Sequence, residues 1–129
     1  MNSYVIDAYA WIEYFEGSGM GEKVRDIVED RKNSVHTNIL TFAELSSHYR
    51  KKSFDFTLPK KKILSLSHVF SGDISFCVEA GVLHTDIRKK RKHMGMADVF
   101  VLLTARKVKG KVVTGDEDFR GLREVIMIK

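Results

Sequence analysis

A chain of 129 residues with 43% apolar and 30% charged side chains can bury a core without disulfide or metal support, and this composition excludes disorder over most of its length. A single cysteine, Cys77, excludes an internal disulfide and a cysteine-based zinc site, and it points to a reducing, cytoplasmic compartment. The formal charge of +5 is uneven: residues 1–30 hold seven acids against Lys23 and Arg25, which leaves +10 for the remainder.

In chain order, the first expected element is a strand at residues 4–6 ending at Asp7. Helices follow near residues 9–15 and, after a glycine-rich break at 17–21, near 22–30. In the first of these, Trp11, Tyr14 and Phe15 recur at helical spacing and form a core face. A short second strand is expected at 35–37. Asn38 or Thr41 then caps a helix running to about residue 52, and Thr57 with Pro59 opens another reaching about residue 70. Residues 74–76 read as a third strand with Cys77 as a buried small hydrophobe beside it, and a helix from about 78 to 92 stops near Gly95. The next helix, 97–108, is apolar on several faces, which implies that protein encloses it. Residues 111–114 form a fourth strand and 125–128 a weaker fifth. The longest apolar run, about 99–103, is too short for a signal peptide or a membrane span.

Strands that alternate with helices and concentrate Val and Ile predict one α/β domain over residues 1–129. Its central sheet is mainly parallel, with about five strands and helices on both faces. In such a fold, ligands bind in the crevice outside the carboxyl ends of the strands. The acids fall on that edge. Asp7 ends the first strand, Asp116 and Asp118 follow the fourth, and Glu44 lies in the first turns of the helix after the second. Asp98 opens the helix that precedes the fourth strand.

Each acid also has a local explanation. Asp7 can cap the helix after it, and Glu44 can complete a capping box with Thr41. Asp98 can complement a helix N-terminus, and Asp116 with Asp118 can serve a turn beside Gly115. Local chemistry does not account for their convergence. Carboxylates gathered at one edge repel one another and raise each other's pKa values, and a hard divalent cation, Mg2+ or Mn2+, relieves that conflict while leaving positions open for phosphate. His36, His48, His68, His84 and His93 show no close metal-ligand spacing. Two basic windows, 50–62 and 88–92, carry 11 of the 22 basic residues and one acid, Asp55. They suit a polyanionic partner such as RNA, with Arg50, Lys51, Lys52, Arg88, Lys89, Lys90 and Lys92 as candidate phosphate-binding residues; the alternative is that they solvate helix ends.

Four segments together resemble the PIN-domain nucleases, and in particular the small VapC-like toxin ribonucleases of toxin–antitoxin pairs. They are residues 4–11 around Asp7, 41–45 around Glu44, 95–105 around Asp98, and 112–119, where a strand runs into Thr114, Gly115, Asp116, Glu117, Asp118 and Phe119. The resemblance implies a PIN-like three-layer fold and a Mg2+- or Mn2+-dependent endoribonuclease with one or two ions. Asp7, Glu44, Asp98 and Asp116 become the metal-binding, catalytic acids, Asp118 an auxiliary metal-binding acid, and Thr114 a supporting hydroxyl. It further implies RNA as substrate, a protein antitoxin as partner, a homo-oligomer, in the first place a dimer, and no membrane. Ala8 stands where a hydroxyl residue is usual, and Val99 where a small residue is. A receiver-like phosphotransfer domain fits less well, because Asp7 lacks a neighbouring second acid. A noncatalytic RNA-binding or scaffold module of the same fold remains the alternative.

Overall fold

The β-branched start of the chain forms β1 (Ser3–Ile6), and its side chains divide between two cores. Val5 faces one side with Val112, while Ile6 faces the other with Val113, the alternation that a strand covered on both faces requires. The computed structural model describes residues 2–129, and in it β1 pairs in parallel with β2 (Ser34–Asn38) and β4 (Lys111–Thr114). β3 (His68–Phe70) and β5 (Val125–Met127) complete an all-parallel sheet in the order β3-β2-β1-β4-β5. The chain winds outward from β1 to β2 and β3, then returns to β4 on the other side. The carboxyl ends of β1 and β4 therefore flank the point where strand order reverses, the place where a crevice opens in such sheets.

One face carries α1 (Ala8–Glu16), α2 (Gly19–Val28), α3 (Ile39–Lys51) and α4 (Thr57–Leu66), around a core of Trp11, Tyr14, Val24, Leu45 and Ile63. Trp11 is wholly buried, meets Tyr14 edge to face, and donates its indole N–H to Thr37 Oγ1 at 3.1 Å. Truncating such a side chain to alanine costs about 3–5 kcal/mol. α1 stops at Gly17, whose φ of 68° is the left-handed conformation that lets its N–H reach the carbonyls of Glu13 and Tyr14. The other face carries α5 (Ile74–Ile87) and α6 (Met96–Lys107). α6 buries Val99, Val101, Leu102, Leu103 and Ala105, which matches its all-round apolarity. Among the described residues, no helix is long and apolar enough to cross a membrane.

The third strand departs from expectation. Residues 74–76 open α5 instead, because Asp73 Oδ1 accepts the Phe76 N–H at 2.8 Å and caps a helix there. The strand is His68–Phe70, an edge strand with His68 and Val69 exposed, so no burial pattern marks it in the sequence. It begins where Ser67 ends α4 by donating both its N–H and its hydroxyl to the Ile63 carbonyl, each at 2.9 Å. Cys77 is exposed rather than buried, on the outer side of α5. α5 also ends at Ile87, so Arg88 to Lys92 form a turn rather than a last helical stretch.

Candidate active site

Parallel register sets the centre of the site. Ile6 lies opposite Val113, so Asp7 and Thr114 are the next residues in line as the two strands end. The Asp7 side chain is buried and caps α1, its Oδ1 accepting the Ala10 N–H at 2.9 Å. Its Oδ2 accepts the Thr114 hydroxyl, and Thr114 Oγ1 in turn accepts the Asp116 N–H at 3.0 Å. Thr114 has one hydroxyl proton, and spending it on Asp7 leaves its lone pair for Asp116, so one buried hydroxyl aligns both acids. Asp116 Oδ1 accepts the Asp118 N–H at 2.9 Å and starts a 3-10 turn, Glu117–Phe119, anchored by the wholly buried Phe119.

Asp98 arrives from the other side. It stands in the first turn of α6, where Oδ2 accepts the Gly95 N–H at 2.9 Å. The α6 N-terminus reaches the same edge although no strand precedes it between α5 and α6. Asp98, Asp116 and Asp118 each offer a carboxylate oxygen, and these oxygens lie within 4.8 Å of one another. Glu44, in α3, sits at the exposed rim of the crevice.

The electrostatics tie the remaining acids to that trio. Burial pushes the Asp7 carboxyl up to about 7, against the pull of the Thr114 and Ala10 hydrogen bonds, with Asp116 and Asp98 adding repulsion. Desolvation also raises Asp98, opposed by the Gly95 N–H and reinforced by Asp116 and Asp118. Glu44 is raised by desolvation and then by Asp98 and Asp116. Among the described residues, no lysine, arginine or histidine forms an ion pair with any of the five acids. A set of convergent, mutually repelling carboxylates without a basic partner is the donor chemistry of a hard divalent cation, and these residues fit one. Capping and cation binding are compatible here. Asp98 and Asp116 each commit one oxygen to a backbone N–H, which fixes the side chain and leaves the second oxygen available.

The structure thus brings Asp7, Glu44, Asp98, Asp116, Asp118 and Thr114 to one edge, and it groups Asp118 more tightly with Asp98 and Asp116 than Asp7 or Glu44. It does not bring Arg50, Lys51 and Lys52 there. They are exposed at the far end of α3, about 9–12 Å beyond Glu44 along the helix axis. Arg88, Lys89, Lys90 and Lys92 are exposed in the segment that leads into α6, the helix whose first turn carries Asp98. Within that turn Arg88 donates to the Lys92 carbonyl at 3.0 Å, and Lys89 lies 3.6 Å from Asp86, so part of this window serves the local chain end. Arg91 is the residue that charge clustering alone does not single out. Its Nη1 donates to the carbonyls of Asp118 and Arg120 at 2.9 and 2.8 Å. In a run of five consecutive basic residues the sequence does not say which one turns toward the protein. Ala8 leads α1 without a hydroxyl, and Val99 is wholly buried in the α6 core.

The model of the PIN domain family matches residues 4–125. No curated protein matches the sequence significantly. Similar solved structures include a toxin–antitoxin complex from Klebsiella pneumoniae, at 17% identity and a TM-score of 0.73, covering 98% of this chain and 98% of that one. VapC20 of Mycobacterium tuberculosis, a toxin that cleaves the sarcin-ricin loop, matches at 12% identity and a TM-score of 0.73, with 95% and 96% covered. VapBC2 of Rickettsia felis, bound to a DNA fragment of its promoter, matches at 16% identity and a TM-score of 0.70, with 97% and 96% covered.

Proposed function

The chain belongs to the PIN domain family, and on that premise we propose that it is a metal-dependent endoribonuclease that hydrolyses RNA phosphodiester bonds with Mg2+ or Mn2+. We propose further that it acts in the cytoplasm as the toxin of a toxin–antitoxin pair, held in check by a protein antitoxin and assembling as a homodimer. The observation that carries the reading is the meeting of Asp98, Asp116 and Asp118 within 4.8 Å beside the buried Asp7, none of them in an ion pair with a basic side chain among the described residues.

In this reading Asp7, Asp98, Asp116 and Asp118 would hold the ion, with Thr114 fixing Asp7 as one wall of the site. When bound, the ion supplies Lewis-acid polarisation of the scissile phosphate and lowers the pKa of a water. The protein's part is positional. Thr114 keeps Asp7 and Asp116 in register, the Gly95 N–H holds Asp98, and the buried Phe119 holds the Asp116–Asp118 turn against the sheet. Glu44, at the exposed rim and with its pKa raised by desolvation and then by Asp98 and Asp116, can accept a proton at its carboxylate from an attacking water. Lys89, Lys90 and Lys92, exposed in the turn that leads into the helix carrying Asp98, can draw the strand backbone toward the crevice without reading bases. A weaker electrostatic contribution comes from Arg50, Lys51 and Lys52 at the far end of α3.

The test incubates purified protein with labelled single-stranded RNA and Mg2+ or Mn2+, with EDTA and Asp7→Asn controls. Cleavage by the wild type that disappears in both controls is expected. RNA binding without cleavage would favour the noncatalytic module, and cleavage that persists in Asp7→Asn would assign the activity elsewhere.

A further inference from the structure

We propose that Arg91 is a positioning residue for the metal centre, and that the basic turn between α5 and α6 braces the site rather than serving only as a phosphate track. The inference rests on the metal-site reading above and adds a residue to it. Arg91 Nη1 holds two outward carbonyls of the loop that carries Asp118, at 2.9 Å to Asp118 and 2.8 Å to Arg120. The loop lies close against the guanidinium. Gly121, in the left-handed region at φ 91°, would place a Cβ 3.3 Å from Arg91 Nη2.

The same turn also grips Asp98. The Arg91 carbonyl accepts the N–H of the wholly buried Met94 at 3.2 Å, and the next residue, Gly95, donates its N–H to Asp98. Arg88 closes the turn by donating through Nε and Nη2 to the Lys92 carbonyl. Two of the three clustered acids, 20 residues apart in sequence, are therefore held by one short segment, the Asp98 carboxylate through the Gly95 N–H and the Asp118 main chain through Arg91 Nη1.

The guanidinium bonds carbonyls and not carboxylates. This separates two explanations by sign. If Arg91 matters only as a nearby positive charge, removing it relieves repulsion and tightens divalent-cation binding. If it positions Asp118, removing it lets the third carboxylate wander and weakens binding, by about tenfold on the scale typical of groups that orient metal ligands.

The experiment measures Mn2+ affinity from the paramagnetic signal of free Mn2+. It uses metal-stripped wild type, Arg91→Ala, Arg91→Lys, Asp118→Asn and the Arg91→Ala/Asp118→Asn double variant. Arg91→Ala is expected to bind about tenfold more weakly. Arg91→Lys should recover part of the loss, because both bonds leave a single nitrogen and an ammonium can make them. The double variant should bind no more weakly than Asp118→Asn alone, because Arg91 acts through that residue. Arg91→Met, which keeps the aliphatic stem, carries the same expectation if the alanine variant does not fold. Affinity equal to or tighter than wild type in the alanine or methionine variant overturns the proposal, as does full additivity in the double variant. Failure of the wild type itself to bind Mn2+ overturns the metal-site reading, and this inference with it.

Discussion

Replacing Asp7 by asparagine should make the metal-free protein more stable at neutral pH, an unusual outcome for a buried helix-capping residue. The Asp7 carboxyl is pushed from its ordinary 3.8 up to about 7, chiefly by burial, so the folded state binds this proton more tightly than the unfolded chain does. The stability held by the protonated carboxyl is intact below about pH 4 and is lost progressively until the pH passes about 7. The difference between the two pKa values sets a ceiling of about 4 kcal/mol on that loss. If half the ceiling is realised, Asp7→Asn at pH 8 in EDTA should melt about 8 °C above wild type, taking roughly 4 °C per kcal/mol for a domain of this size. Asparagine can keep its oxygen on the Ala10 N–H, so the α1 cap survives, but its Nδ2 can only donate to Thr114 Oγ1, and losing the bond that Asp7 Oδ2 accepts is one reason to count half the ceiling. The assay is a thermal melt in EDTA at pH 5 and pH 8. The wild-type Tm should fall between them relative to the variant, and the gap should narrow at the lower pH. Excess Mn2+ should then favour the wild type, by about 2.7 kcal/mol when the ion stands at a hundred times its Kd. An asparagine variant that melts below wild type at pH 8 in EDTA, by a margin independent of pH, would refute the reasoning and reduce Asp7 to a cap worth about 1 kcal/mol.

Asp98→Asn should leave the metal-free Tm unchanged or raised, since the amide oxygen can still accept the Gly95 N–H, and it should shrink the Tm gain produced by Mn2+; differential scanning calorimetry reads both. Asp116→Asn should abolish metal-dependent cleavage while RNA affinity, measured by filter binding, is kept or increased, because a negative charge facing the phosphate is gone. Changing Lys89, Lys90 and Lys92 together to alanine should weaken binding of all RNA sequences alike. The logarithmic salt dependence should flatten by about 0.7 for each phosphate of the single strand that these lysines had neutralised, whereas a purely local role predicts a slightly lower Tm and unchanged RNA affinity.

The parallel sheet was legible because its buried strands carry their signal in composition. Val5, Ile6, Val112 and Val113 are β-branched and wholly buried, and the acids follow directly at the strand ends. Edge strand β3 carries no such signal. His68 and Val69 face solvent, while the β-branched and aromatic Ile74 and Phe76 invite a strand that the Asp73 cap converts to helix. The acids at the carboxyl edge could be placed from topology, but their ranking could not. Asp118 joins the tight trio through the 3-10 turn that the Asp116 side chain caps, a local choice that an Asp-Glu-Asp run leaves open. Local and functional explanations of Asp7, Asp98 and Asp116 looked like alternatives in the sequence. In the structure the capping hydrogen bonds are what hold these side chains in place. Arg91 was hidden for a different reason: its role is a long-range bond to carbonyls 27 and 29 residues away, which no periodicity encodes.

The most direct test is to crystallise the metal-free protein, soak in Mn2+, and locate the ion by its anomalous scattering. A peak about 2.1 Å from carboxylate oxygens of Asp98 and Asp116, with Asp118 bound directly or through water and Asp7 lining the same crevice, is the predicted result. A crevice that stays free of metal at millimolar Mn2+, or an ion held by other residues, would contradict the assignment of these acids as the centre of the site.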